Sequence, residues 1–288
     1  MKKLITAISK QALTVLSLTI IAFAAHAQKL PKIQTASVYA PDNIKIDGTP
    51  AEWNGKFQAD NDPDRVKYTI SNDDKNLYII VRARAIFAGE KLMRGGLTLT
   101  IRPMTVKTSN KKAPDDVAIT YPLQTNKQDL DKIVNSSKYF QVLKNDTAAN
   151  KQKIDSLQKA LTKMAFTAFN EIKVEGVKEI NEPVMSVYNE NGIRCAEGFG
   201  HRMEFTFEMA IPLKYLAADI NSDGKFRYNI KLGETPELDP FGGVVNRAIA
   251  PPVMMINGAP AAERAPDSDN EFMYGVVDFW AEYTLAKK

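Results

Sequence analysis

Asp219-Ile-Asn-Ser-Asp-Gly224 places oxygen-bearing side chains at alternate positions and ends on glycine. That spacing matches the first half of a calcium loop: alternate oxygens converge on a hard cation, and the glycine permits the bend. Asp219, Asn221 and Asp223 are therefore candidate metal ligands. The twelfth position holds Ile230 instead of a bidentate acid, so a plain turn between strands is the favoured account. Asp60, Asp62 and Asp64 form a second acidic cluster with the same two readings. His201 is the sole histidine beyond residue 27, so no histidine triad or multi-histidine zinc site can be assembled there. Glu204 and Glu208 share one face of an alternating segment. At about 3.3 Å per residue they lie roughly 13 Å apart, too far for a glycosidase carboxyl pair. A solvated face is the expectation for both, and no catalytic constellation emerges.

Trp53 and Trp280 each offer a flat apolar surface able to stack on a sugar ring. Packing is the favoured account, because Trp53 follows a turn and Trp280 lies in a closing strand. The segments 94–96 and 239–247 are glycine-rich and each carries an arginine, without phosphate-loop spacing. Loop residues Phe241 and Arg247, with Trp280, are the candidate ligand contacts.

The elements that must position these residues are mostly strands. Alternation of apolar and polar residues marks 35–39, 44–46, 66–70, 77–85, 97–101, 117–121, 172–180, 185–188, 202–211, 226–232 and 275–285. Residues 107–114 read as an exposed loop and 234–266, rich in Pro, Gly and Ala, as a long one. The middle differs. Residues 127–168 contain neither Pro nor Gly, and Ile154, Leu157, Leu161 and Met164 recur at helical spacing. The expected fold is an antiparallel β-sandwich, immunoglobulin- or jelly-roll-like, with a helical insertion around 127–168 that covers one end or face of a sheet.

Composition narrows the function classes. The chain has 288 residues, 44% hydrophobic and 25% charged, as a folded domain does. Lys2 and Lys3, an apolar run over 12–25 and Ala25-His-Ala27 form a signal-peptide pattern, with cleavage expected before Gln28. Residues 28–288 then form a single domain, periplasmic or secreted, with no transmembrane segment after signal removal. Removing 1–27 takes Lys2, Lys3 and Lys10 and no acid, so a formal charge of +4 falls to +1. No basic stripe remains to support a nucleic-acid partner. Cys195, alone in the chain, rules out an internal disulfide and reads as a buried thiol.

Two distant segments carry a resemblance. Ile46-Asp-Gly-x-x-x-Glu-Trp53 leads through a turn to Leu77-Tyr-Ile-Ile-Val81. Later, Met203-Glu-Phe-Thr-Phe-Glu-Met-Ala-Ile-Pro-Leu213 precedes Phe226-Arg-Tyr-Asn-Ile230 and the Phe279-Trp280 strand. In order and spacing the chain resembles the family 9 carbohydrate-binding module and its DOMON-like relatives over most of 38–285, the helical middle apart. The resemblance implies an exported, non-catalytic β-sandwich that binds a glycan or a glycan-processing partner, with calcium as a structural option. The alternative is a structural or protein-interaction sandwich of the cell envelope without a sugar site. Some relatives bind haem through His and Met. His201 and Met203 would face the same side of one strand and cannot bracket an iron, so haem is not expected.

Overall fold

A computed structural model describes residues 29–61, 66–83, 86–109, 111–123, 127–139, 147–216, 220–233, 255–256, 259–260 and 277–288. The chain divides into two compact units, Met1–Leu30 and Pro31–Lys288, and every described strand and helix belongs to the second. In order these are β1 Ala59–Asn61, β2 Val66–Asn72, β3 Asn76–Ala83, α1 Ile86–Gly95, β4 Leu97–Arg102, β5 Val117–Tyr121, α2 Lys127–Tyr139, α3 Ala148–Ala168, β6 Glu171–Glu175, β7 Val184–Ser186, β8 Arg194–Phe199, β9 Phe205–Pro212, β10 Lys225–Leu232, β11 Met255–Ile256, β12 Ala259–Pro260 and β13 Val277–Thr284. The first sheet runs β1-β2-β3-β9-β8 and the second β13-β10-β4-β5-β6-β7, while β11 pairs with β12. Each of these pairings is antiparallel. Among the described residues no helix is long and apolar enough to cross a membrane.

The period of two explains why the sheets face each other. On β9, Phe205, Phe207, Met209 and Ile211 point one way. On β4, Leu97, Leu99 and Ile101 do the same, and all seven belong to one buried cluster. Each such side chain contributes about 1.5–3 kcal/mol by leaving water. The mostly β, two-sheet architecture expected from the alternation is present, with three α-helices among the described residues.

The insertion between β5 and β6 consists of α2 and α3. Thr147 caps α3, its Oγ1 accepting from Asn150 N–H at 3.2 Å. Of the anticipated apolar stripe, Leu161 is fully buried, and Ile154, Leu157 and Met164 pack at the margin of the core. The helix lies along the edge strand β8. Gln158 Nε2 donates to the Phe199 carbonyl at 2.6 Å, and Phe199 N–H donates to Thr162 Oγ1 at 3.2 Å. Two backbone groups of an open sheet edge are thereby satisfied.

Several expectations change. Residues 35–39 and 44–46 form no strand; only an isolated bridge joins Tyr39 to Asn72. The strand expected over 77–85 ends at Ala83, and α1, unforeseen, follows. Its Ala88, Leu92 and Met93 reach the core, and Gly96, at φ +67°, closes it by donating to Leu92 O at 2.9 Å. Strand β8 was also missed, because Arg194-Cys-Ala-Glu-Gly-Phe199 shows no apolar alternation. The reason is Glu197, which sits opposite Phe207 and so faces the core.

Glu197 is 2% exposed. Its Oε2 meets the Tyr121 hydroxyl from the opposite sheet, and that hydroxyl lies 3.1 Å from the Phe169 carbonyl. One hydroxyl proton cannot serve both acceptors. A protonated Glu197 donating to Tyr121 resolves the count, and burial pushes the Glu197 carboxyl up to about 8. Its Oε1 finds no partner among the described residues.

Glu208 is 1% exposed and faces the other way, out from the first sheet. The solvated face expected for it is in fact roofed by residues 44–57. Trp53 Nε1 donates to Glu208 Oε1 at 3.0 Å, and Asp47 and Gly48 N–H donate to Oε2 at 3.1 and 3.0 Å. Gly48, at φ +78°, rests on β8 so closely that an added Cβ would lie 2.1 Å from the Glu197 carbonyl carbon. Burial raises the Glu208 carboxyl to about 7 despite its three donors.

Both acids have folded values above the ordinary 4.5. Folding therefore takes up protons, and the stability they confer is whole below about pH 4.5 and is lost as pH rises through about 7 and then 8. Glu197→Gln mimics the protonated form. Its unfolding free energy should exceed the wild-type value at pH 9, relative to pH 5, by on the order of 2–4 kcal/mol. Urea titrations at both pH values test this, and parallel pH profiles would show that Glu197 is not buried as an acid.

Candidate functional site

The outward residues of the second sheet line up in three rows set by strand register. The first holds Asp278, Lys231, Thr98 and Thr120 across β13, β10, β4 and β5. The middle row holds Trp280, Asn229, Thr100 and Ala118, continuing to Glu175 on β6. The third places Glu282, Arg227 and Arg102 side by side. Small residues in the middle of a row between larger ends leave a trench. It encloses about 180 Å³ and is lined by Trp280, Asn229, Thr98, Thr100 and Lys231, with Ser109, Lys111 and Lys112 on its rim.

Arg102 and Arg227 hold the rim in place. The Arg102 fork pairs with Asp116, Nε to Oδ1 at 2.7 Å and Nη2 to Oδ2 at 2.6 Å. It also donates to the carbonyls of Lys107 and Lys111, each at 2.9 Å. Arg227 Nη1 donates to the carbonyls of Met104 and Val106 at 2.8 and 2.7 Å. Guanidinium suits this work because it is planar, always charged and has five donors. Asp116 raises the Arg102 value further, against the opposing pull of burial. The loop after β4 is exposed along much of its length, as expected, yet fixed from below.

Trp280 leans from β13 across β10 until its ring lies under the Arg102 guanidinium carbon, 4.2 Å from the centroid. The indole is only half-buried, and its N–H finds no acceptor among the described residues. Beside it, Asn229 Nδ2 donates to Asp278 Oδ1 at 2.5 Å and to Phe279 O at 3.0 Å, and the amide oxygen has no partner among the described residues. The trench thus offers an aromatic surface, amide and hydroxyl groups and flanking lysines. Such a set grips a polar molecule that has apolar faces. Among the trench's described residues there is no nucleophile–base pair.

Of the candidate ligand contacts, Trp280 lines this trench, packed beneath Arg102. Phe241 and Arg247 lie outside the described residues. Trp53 is buried at 6% exposure, in keeping with the packing account. In the candidate calcium loop, Asn221 Oδ1 accepts from Asp223 N–H at 3.0 Å and Lys225 N–H at 2.7 Å, which closes a turn without a cation. Asp219 lies outside the described residues, as do Asp62 and Asp64, whereas Asp60 falls in β1. Among the described residues no group of three or more His, Cys, Asp or Glu side chains could hold a metal ion. His201 is exposed and 3.5 Å from Asp155. Cys195 is buried, and desolvation pushes its thiol far above the usual range. Arg94 of the glycine-rich 94–96 segment pairs with Glu90 and Asp131, each at 2.9 Å, and joins α1 to α2.

Arg102, Asp116, Asn229 and Lys231 escaped the sequence reading. Their signal was present: polar residues occupy every second place in Thr98-x-Thr-x-Arg102 and Arg227-x-Asn-x-Lys231. What was missing was the register that sets them side by side. No family model, curated protein or solved structure matches the chain.

Arg102→Lys keeps the charge and loses the fork. Amide exchange over residues 104–113 should quicken by about tenfold or more, and stability should drop by about 2–4 kcal/mol. Hydrogen-exchange mass spectrometry reads the first effect locally; unchanged protection there would show that the rim does not depend on Arg102.

Proposed function

We propose that this protein is an exported, non-catalytic binding protein whose ligand is a glycan, and that the trench on the second sheet is its binding site. The observation that carries the reading is the half-buried Trp280 indole, lining the trench at the head of a row of uncharged hydrogen-bonding groups, Asn229 and Thr100. A sugar ring presents C–H groups on its faces and hydroxyls at its edge. An aromatic surface meets the first, and amide and hydroxyl groups meet the second. The resemblance to family 9 carbohydrate-binding modules and DOMON-like domains, with the immunoglobulin- or jelly-roll-like topology it implies, supports the same reading. So does the signal-peptide pattern, which gives a periplasmic or secreted address. Phe241 and Arg247 are proposed as further contacts from the long loop.

A second reading has its own observation. Phe166 and Tyr188 are 53% and 63% exposed, with ring centroids 5.8 Å apart, beside the exposed Val184. Such a patch suits a protein-interaction domain of the envelope.

Glycan-array screening of residues 28–288, followed by calorimetry, separates the two. The first reading expects binding that Trp280→Ala weakens by about a hundredfold or more, with unfolding changed by no more than about 1 kcal/mol. Retention of no glycan by the wild type overturns it. The second reading then stands if a defined envelope protein cross-links to the wild type and not to a Phe166→Ser/Tyr188→Ser variant.

A further inference from the structure

We infer that the trench selects acidic sugars, carrying a carboxylate or a sulfate, and that Lys231 and Lys111 read that charge. The inference rests on the glycan reading above and adds to it a ligand class. It follows from which charges in the trench are already spent. Arg102 is committed to Asp116, at 2.6 Å. Lys112 is committed to Glu175, at 3.0 Å, and Glu175 also takes Lys173, at 3.3 Å. Asp278 accepts from Asn229 through Oδ1.

Two ammonium groups remain. Lys231 stands opposite Asp278 in the β10–β13 register, yet the two make no ion pair. Neither Lys231 nor Lys111 has a salt-bridge partner among the described residues, and both line the trench. Among the described lining residues, Asp278 is the sole acid without a cation. The unspent charge is therefore two positive against one negative.

Placement makes this charge useful. Lys231 is one strand inward and one row along from Trp280, so their Cα atoms lie about 8 Å apart by ordinary sheet spacing. A sugar seated on the indole extends over Asn229 toward the Lys231 ammonium. Lys111 approaches from the rim, where Arg102 fixes its carbonyl and hence its place in the loop. Lys231 is half-buried, so an anion reaching it is less screened than one at an open surface. The middle row is uncharged up to Glu175, so discrimination by charge falls to the lysines.

Calorimetry on residues 28–288 provides the test, with a tetragalacturonate, a sulfated tetrasaccharide and a neutral tetrasaccharide, each in low and in 0.5 M salt. At least one anionic ligand should bind about tenfold tighter than the neutral one, and only that advantage should shrink in high salt. A Lys111→Gln/Lys231→Gln variant should lose the advantage to within about twofold, while Lys231→Arg retains it. Whichever anion wins identifies the source of the charge. Equal binding of neutral and acidic ligands overturns the inference and leaves the glycan reading standing. An anionic preference that survives in the double variant overturns the assignment to these lysines. Failure of all three ligands, together with an array on which the wild type retains no glycan, removes the glycan reading itself.

Discussion

The Glu208 carboxylate is the point on which the first sheet depends. It is buried, and three donors from residues 47–53 converge on its two oxygens. A carboxyl left there without them would carry the full cost of desolvation, several kcal/mol for a charged group. The donors in turn would have no reason to lie on the sheet without the acceptor. The segment therefore behaves as part of the sheet although it forms no strand. Gly198 makes the contact geometrically feasible, since the Gly48 carbonyl lies 2.8 Å from where a Cβ on Gly198 would stand. The N-terminal lead-in is held by similar substitution. The Gln34 side-chain amide exchanges two 2.7 Å bonds with the N–H and C=O of Ile70, as a neighbouring strand would.

The two outer faces have become unlike. On the first sheet Thr206, Glu208 and Ala210 are all buried, and residues 47–53 close over Glu208. On the second, the loop after β4 covers one row and stops, because Arg102 and Arg227 reach only the carbonyls within their grasp. The uncovered remainder is the trench. Two arginines adjacent in register would repel each other across a bare sheet. Here Asp116, Glu282 and five carbonyls absorb the charge, so a pairing that would weaken a hairpin organises a rim.

Much of this was legible residue by residue and little of it pair by pair. Period-two alternation located β4, β5, β9, β10 and β13, and helical spacing located α3. Trp53 and Glu208 each stand out in the sequence, yet by alternation Glu208 reads as solvated. Its partners lie some 155 residues away, and no local pattern carries that distance. Strand β8 was hidden because its core-facing position holds an acid, and α1 because its apolar residues continue the run of β3 without a break. Trp280 was noticed as an aromatic surface, but its outward direction depends on which alternate residues of β13 enter the core.

That last point concerns a choice between two neighbours. Phe279 and Trp280 are adjacent aromatics, and either would fill an interior gap. Hydrophobicity alone leaves the strand able to dock in two settings, one residue apart, with opposite faces turned in. The deciding residue is Tyr283. Its hydroxyl donates to the Val38 carbonyl at 3.0 Å and accepts from Val38 N–H at 3.1 Å, contacts that a one-residue slip would forfeit. With Tyr283 locked, Phe279 packs 5.7 Å from Tyr68 and the indole is turned outward. A hydroxyl near the far end of the strand thus acts as an index pin, setting which of two aromatic rings the protein shows to its surroundings.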